Sequence, residues 1–218
     1  MYEYLEKLQP VILAGGDDSR MGSSKALAPF EDRTLIENIY TLLDYSFERS
    51  PLVVTNDRHN FDGIDALQDA TIVEDVYPGH KVLGAVASAF DYTDAENIFA
   101  IGVNMPFICL PLINKMAFHI QMADAVVPIQ DGKDICLHAV YNRRLVPIMH
   151  KKIEAGEVLL HSFFPEIDLV QIQVRKDLHE DVIFCDIHTP ADLKLVEEQY
   201  EAMKNIDAPM FEALKQKH

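Results

Sequence analysis

The chain has 218 residues, 49% of them hydrophobic and 25% charged, with a formal net charge of −16. That length suits one α/β domain, or one domain with a small appendage, and can bury a sizeable core. The acidic excess argues against a general nucleic-acid surface or an anionic membrane partner, and no apolar run approaches the roughly 20 residues of a membrane span.

The N-terminal stretch MYEYLEKLQP carries acidic residues and no long apolar core, so it does not read as a signal peptide. Cys109, Cys136 and Cys185 are widely spaced and offer neither a disulfide framework nor a C-x-x-C metal pair. Buried thiols in a reducing cytoplasm are the simplest expectation.

In chain order, residues 11–13 predict a buried first strand. A loop follows with Gly15, Gly16 and Gly22 and the cations Arg20 and Lys25. Glycines let backbone N–H groups approach phosphate oxygens, Arg20 can fork onto two oxygens, and Lys25 supplies a compact point charge. The loop is not of the Walker A type, because Ser23 and Ser24 separate Gly22 from Lys25. Nor is it the dinucleotide loop G-x-G-x-x-G, because Gly15 and Gly16 are adjacent.

Thr34 predicts the N-cap of a helix carrying Leu35, Ile39, Leu42 and Leu43. Residues 52–55 and 71–73 predict the next strands, 82–90 a helix rich in small residues, and 98–103 a strand stopped by Asn104 and Pro106. Residues 111–121 predict a helix, 125–129 and 136–141 strands, 142–154 a helix, and 168–174 and 182–186 two late strands. The helix over 189–204 opens on Thr-Pro-Ala-Asp, an N-cap followed by proline. Residues 205–218 read as a helical extension with Met210, Phe211 and Leu214 on one side, suited to packing or to an oligomer contact.

Strands separated by helices imply a mainly parallel sheet with helices on both faces. Ligands in such sheets lie at the carboxyl ends of the strands, where the first loop and the turn over 102–107 both fall. His138 lies in an apolar strand and is expected to be a core histidine with its ring nitrogens satisfied. Arg143 and Arg144 are expected on a solvated face, with contact to an acceptor phosphate as the alternative.

The blocks Leu13-Ala14-Gly15-Gly16, Arg20-Met21-Gly22 and Lys25-Ala26-Leu27 resemble the opening motif of the molybdenum cofactor guanylyltransferases, L-A-G-G-x-S-x-R-M-G-x-D-K. The likeness continues in order along the chain. Val73-Glu74-Asp75 is similar to an acidic element, Asn104-Met105-Pro106-Phe107 to a D-M-P-F turn, and Leu137 to Tyr141 to a strand. Ala155-Gly156-Glu157 is similar to the end of the following helix, and Thr189 to Leu193 to the N-x-N-T-P-E-D-L start of the last one. The resembling blocks span about residues 10–196.

The resemblance implies a three-layer, Rossmann-like nucleotidyltransferase fold with a mainly parallel, mixed sheet. It implies one such domain over residues 1–204, with 205–218 as an extension. It further implies transfer of GMP from GTP to molybdopterin in the cytoplasm, with Mg²⁺ as cofactor and release of pyrophosphate. Alternatives are another nucleotide or acceptor on the same fold, or a nucleotide- or partner-binding homologue with little turnover. Beyond these substrates the expected partners are a second copy of the chain or a factor of molybdoenzyme maturation.

By the same resemblance Arg20 and Lys25 are the catalytic cations. Leu13, Ala14, Gly15, Gly16, Lys25 and Asp75 contact nucleotide, and Asp186 and His188 lie on the acceptor side. Asn104 stands where the family carries its metal-binding Asp. An amide oxygen can ligate Mg²⁺ but brings no charge, so Asn104 is the weaker ligand. Asp17, Asp18 and Asp186 are the carboxylates available by motif position to supply that charge.

Overall fold

Short apolar runs rich in β-branched residues become the strands of one sheet. The computed structural model describes residues 3–16, 19, 21–174 and 183–206, with 201–206 by backbone alone. Its strands are β1 (Leu8–Leu13), β2 (Pro29–Phe30), β3 (Arg33–Thr34), β4 (Leu52–Thr55), β5 (Thr71–Glu74), β6 (Asn97–Gly102), β7 (Ala125–Gln130), β8 (Lys133–Asp134), β9 (His138–Asn142) and β10 (Leu169–Gln173). Its helices are α1 (Leu35–Ser46), α2 (Lys81–Asp91), α3 (Leu110–His119), α4 (Val146–Glu154) and α5 (Pro190–Ile206).

The main sheet runs β10-β7-β9-β6-β1-β4-β5, with β8 paired to β7; β2 and β3 form a separate hairpin. β1 is central and parallel to both neighbours, with Val11 opposite Leu52 of β4 and Ala100 of β6. β9 runs antiparallel to β6 and β7, which makes the sheet mixed. Alternation along β1 sends Ile12 to the layer of α1, α3 and α5, and Val11 and Leu13 to the layer of α2 and α4. The expected three-layer, mainly parallel mixed architecture is therefore present.

The expected cap of α1 is also present. Thr34 Oγ1 accepts from the Glu37 N–H and the Glu37 carboxylate accepts from the Thr34 N–H, a capping box. Most of the expected C-terminal extension, residues 207–218, lies outside the described residues. Among the described residues no helix is long and apolar enough to cross a membrane. The three cysteines are partly buried and none forms a disulfide, and burial pushes the Cys136 thiol up to about 11.

Three expectations are corrected. The strand expected over 182–186 is absent among the described residues: Ile183 and Phe184 form a 3₁₀ turn. Their side chains, with Ile187, fill the core of the α1, α3 and α5 layer, so the apolar run marks burial and not pairing. Arg143 is only partly exposed and is spent on backbone carbonyls. Its guanidinium donates to the carbonyls of Phe90, Thr93 and Ala95 and lies over the Phe90 ring, 5.3 Å from its centroid, closing the C-terminal end of α2. Arg144 pairs with Asp124 at 3.2 Å. Both arginines follow the end of β9, at the sheet rim opposite the first loop.

His138 is a core residue, but not a satisfied one. It is fully buried between the rings of Phe99 and Phe184, both edge-on, and neither ring nitrogen has a partner among the described residues. Burial pushes its pKa down to about 3. The folded protein therefore holds His138 neutral at pH values where the unfolded chain protonates it. Its contribution to stability is constant above the ordinary histidine range and is lost as pH falls toward 3, at about 1.4 kcal/mol per pH unit. A His138→Leu variant, followed by urea unfolding from pH 7 to 4, loses stability less steeply than the parent; equal slopes would refute this.

Candidate functional site

The carboxyl ends of β1, β4, β5 and β6 share one rim of the sheet, because these strands are mutually parallel. β9 begins at the same rim, since it is antiparallel to β6. Backbone bonds carry the ladder past the strand ends: Ala14 N–H donates to Val54 O at 2.8 Å, and Val103 N–H to Leu13 O at 3.1 Å. The loops after β1 and β6 therefore leave the sheet side by side.

Leu13 is buried at the end of β1, Ala14 is partly covered, and Gly15 and Gly16 are exposed. Gly15 is required by contact: a Cβ there would stand 2.9 Å from Asn56 Oδ1. Gly16 and Gly22 are required by conformation, with φ of 136° and 75°. The loop then returns through two turns, Leu27 N–H to Ser24 O and Ala28 N–H to Lys25 O. Ala26 and Ala28 are buried, and their carbonyls accept from Ile36 and Leu35 at the start of α1. Lys25 thus projects from a short segment anchored on its C-terminal side. No described carboxylate pairs with it. Arg20, Asp17 and Asp18 lie outside the described residues.

Asp75 follows β5, and its N–H donates to Thr55 O at 2.8 Å. Its Oδ1 accepts from Tyr77 N–H at 2.8 Å and from Ser88 Oγ–H at 2.7 Å. Two strand spacings separate β5 from β1, about 10 Å across the rim.

Asn104 follows β6 through a turn in which Met105 N–H donates to Gly102 O at 2.9 Å. Its side chain folds back over Gly102, where a Cβ would collide with Asn104 Oδ1. The segment before α5 docks on this turn: Ile187 N–H donates to Asn104 O at 2.9 Å. That docking brings Asn104 Nδ2 onto Asp186 Oδ1 as a donor, and His188 Nε2 to 2.7 Å from Asp186 Oδ2. Asp192 fixes the start of α5, accepting from the His188 and Thr189 N–H groups at 3.0 and 2.8 Å. These bonds, the His188 one foremost, hold its carboxyl below the ordinary range.

The rim thus gathers Leu13 to Gly16, Asp75, Asn104, Asp186 and His188, and the loop that leaves it at Gly16 leads to Lys25. Asn56 and Ser88 belong with them, though their sequence context does not single them out. Asn56 had one available signal, its position directly after the β4 run. Among the described residues no cluster of three or more His, Cys, Asp or Glu could hold a metal. A cavity of about 700 Å³ beside edge strand β5, lined by Arg58, Phe61, Asp62, Leu67 and Ile72 among others, shares none of these residues.

A Gly15→Ala substitution drives its methyl into Asn56. The expected result is a loss of stability of about 1–2 kcal/mol in a urea titration; an unchanged midpoint would show that Asn56 does not restrain the loop.

A mixed sheet of this order, with a glycine-rich loop after its central first strand, defines a Rossmann-like nucleotidyltransferase fold. The family model described as the MobA-like NTP transferase domain matches residues 10–165, and the chain belongs to that family. It is 25% identical over 191 residues to a probable molybdenum cofactor guanylyltransferase of Carboxydothermus hydrogenoformans, covering 86% of this chain and 94% of the relative. It is 32% identical over 149 residues to a protein of the same description from Bacillus cereus (strain Q1), covering 65% and 71%. Among solved structures it is similar to molybdopterin-guanine dinucleotide biosynthesis protein A of Archaeoglobus fulgidus, with a TM-score of 0.75 and 22% identity over 89% of this chain and 100% of that one.

Proposed function

We propose that the protein transfers GMP from GTP to molybdopterin and releases pyrophosphate. The observation that carries this reading is the pairing of two loops at one rim, the Lys25 loop after β1 and the Asn104–Asp186–His188 group after β6, joined through Val103 and Leu13. In the reaction an oxygen of the acceptor phosphate bonds to the α-phosphorus of GTP as the bond to the bridging oxygen breaks, and pyrophosphate leaves. Such chemistry asks the protein for alignment and charge neutralisation. Leu13, Ala14, Gly15 and Gly16 offer backbone contacts to the nucleotide. Arg20 and Lys25 hold the triphosphate and offset the charge that builds on the leaving group. Asp75 meets the nucleoside, and Asp186 and His188 border the acceptor. The domain covers residues 1–204, with 205–218 as its extension.

The donor set suits a divalent ion of the Mg²⁺ type, which is bound through one or two carboxylates and substrate phosphates. Asn104 commits its amide nitrogen to Asp186, which leaves its oxygen as an acceptor, and Asp186 supplies a negative charge. These two residues would hold the ion, which when bound neutralises phosphate charge. A nucleotide-binding homologue with slow turnover is the second reading, favoured by Asn104 alone.

Incubation with GTP, Mg²⁺ and molybdopterin decides between them. Release of pyrophosphate in step with formation of the dinucleotide is expected. GTP binding without release at any Mg²⁺ concentration overturns the first reading, and release with CTP in preference to GTP redirects it to another nucleotide.

A further inference from the structure

α2 contains a buried hydroxyl that helix formation does not explain. Its sequence, KVLGAVASAFD, is a small-residue helix in which Ala87, Ser88 and Ala89 are all fully buried. Alanine at position 88 would suit the helix better, since serine competes with the helix for backbone bonds. A buried hydroxyl is retained without cost only where it is bonded.

Ser88 is bonded on both sides. Its Oγ–H donates to Asp75 Oδ1 at 2.7 Å, and its oxygen accepts from Val76 N–H at 2.8 Å. The rotor is thereby fixed. One helical turn earlier Gly84 lets the same loop approach: a Cβ there would stand 2.6 Å from Tyr77 O. Gly84 and Ser88 therefore share the face of α2 that receives residues 75–80. With Tyr77 N–H also on Oδ1, that oxygen carries two donors, while Oδ2 accepts from none of the described residues.

We infer that Ser88 is a positioning residue for the nucleoside: by engaging Asp75 Oδ1 it turns Oδ2 outward as the acceptor for a nucleoside N–H or O–H donor. The inference rests on Asp75 being a nucleoside contact, as proposed above. Ser88 touches no substrate itself, so its effect passes entirely through Asp75.

A double-mutant cycle on the full chain tests this, with binding of GTP and of inorganic tripolyphosphate measured by calorimetry in Mg²⁺, and with thermal melts recorded for each variant. Ser88→Ala is expected to weaken GTP about 5- to 20-fold, to leave tripolyphosphate within 2-fold, and to raise KM with little change in kcat. Asp75→Asn is expected to weaken GTP at least as much, and adding Ser88→Ala to it to change affinity by less than 2-fold. Ser88→Cys, similar in size and a weak donor, is expected to fall between parent and Ser88→Ala. It carries the test if the alanine variant does not fold. Ribose 5-triphosphate shares the loss if the donor is a sugar hydroxyl and escapes it if the donor is a base N–H; both support the assignment. Equal weakening of GTP and tripolyphosphate, or additivity with Asp75→Asn, reduces Ser88 to a structural residue and overturns it. So does a normal GTP affinity in Ser88→Ala when Asp75→Asn is impaired. A normal affinity in Asp75→Asn overturns instead the nucleoside role of Asp75.

Discussion

Lys25→Ala lowers kcat/KM for pyrophosphate release from GTP by about 10²- to 10³-fold, the usual loss when one fixed charge aimed at the transition state is removed. Lys25 is half-buried in a segment whose neighbours Ala26 and Ala28 carry the packing, so the stability of the fold changes by no more than about 1 kcal/mol. Loss of rate without loss of stability is the expected signature, read by a pyrophosphate assay beside a urea titration. Lys25→Arg keeps the charge but not the compact shape, and regains only part of the rate. A fall of less than 3-fold in Lys25→Ala would remove the loop from the reaction.

Asp186→Asn has the second large effect. It leaves two facing amides where an amide and a carboxylate met, since the partner across the hydrogen bond is Asn104. The Mg²⁺ concentration for half-maximal rate is expected to rise at least 10-fold, and kcat to fall about 10²-fold at fixed Mg²⁺. The double variant Asn104→Asp/Asp186→Asn keeps the amide–carboxylate contact and moves the charge to the other side of it. It is expected to regain kcat to within about 10-fold of the parent. Unchanged Mg²⁺ dependence in Asp186→Asn would sink the assignment of that carboxylate. Calorimetric Mg²⁺ binding to the GTP complex gives a second readout apart from turnover.

The strands nearest the site were legible because central parallel strands are buried on both faces and so appear as unbroken apolar runs, as at Leu52–Thr55 and Asn97–Gly102. The loop after β1 was legible for a different reason: glycine and cation spacing carries chemistry directly in the sequence. The turn over Ile183 and Phe184 was not, since an apolar pair that plugs a core reads the same as one that joins a ladder. The role of Arg143 is not legible, because the three carbonyls it caps at the end of α2 and in the following turn leave no mark in the sequence. Asn56 and Ser88 are single polar residues whose meaning comes from what stands against them, Gly15 and Asp75. Asp186 was legible as a place in a motif, but its contact with Asn104 spans 82 residues and depends on docking of the segment before α5.

The central place of β1 bears on the order in which the protein matures. β1 is made before either of its partners, β4 and, later still, β6. Until β6 arrives one edge of β1 stays open, and the bond from Val103 to Leu13 that steadies the glycine loop cannot form. Closing such distant pairings is slow relative to local helix formation. The loop after β1 is therefore steadied only once the chain has been made through β6 and Val103.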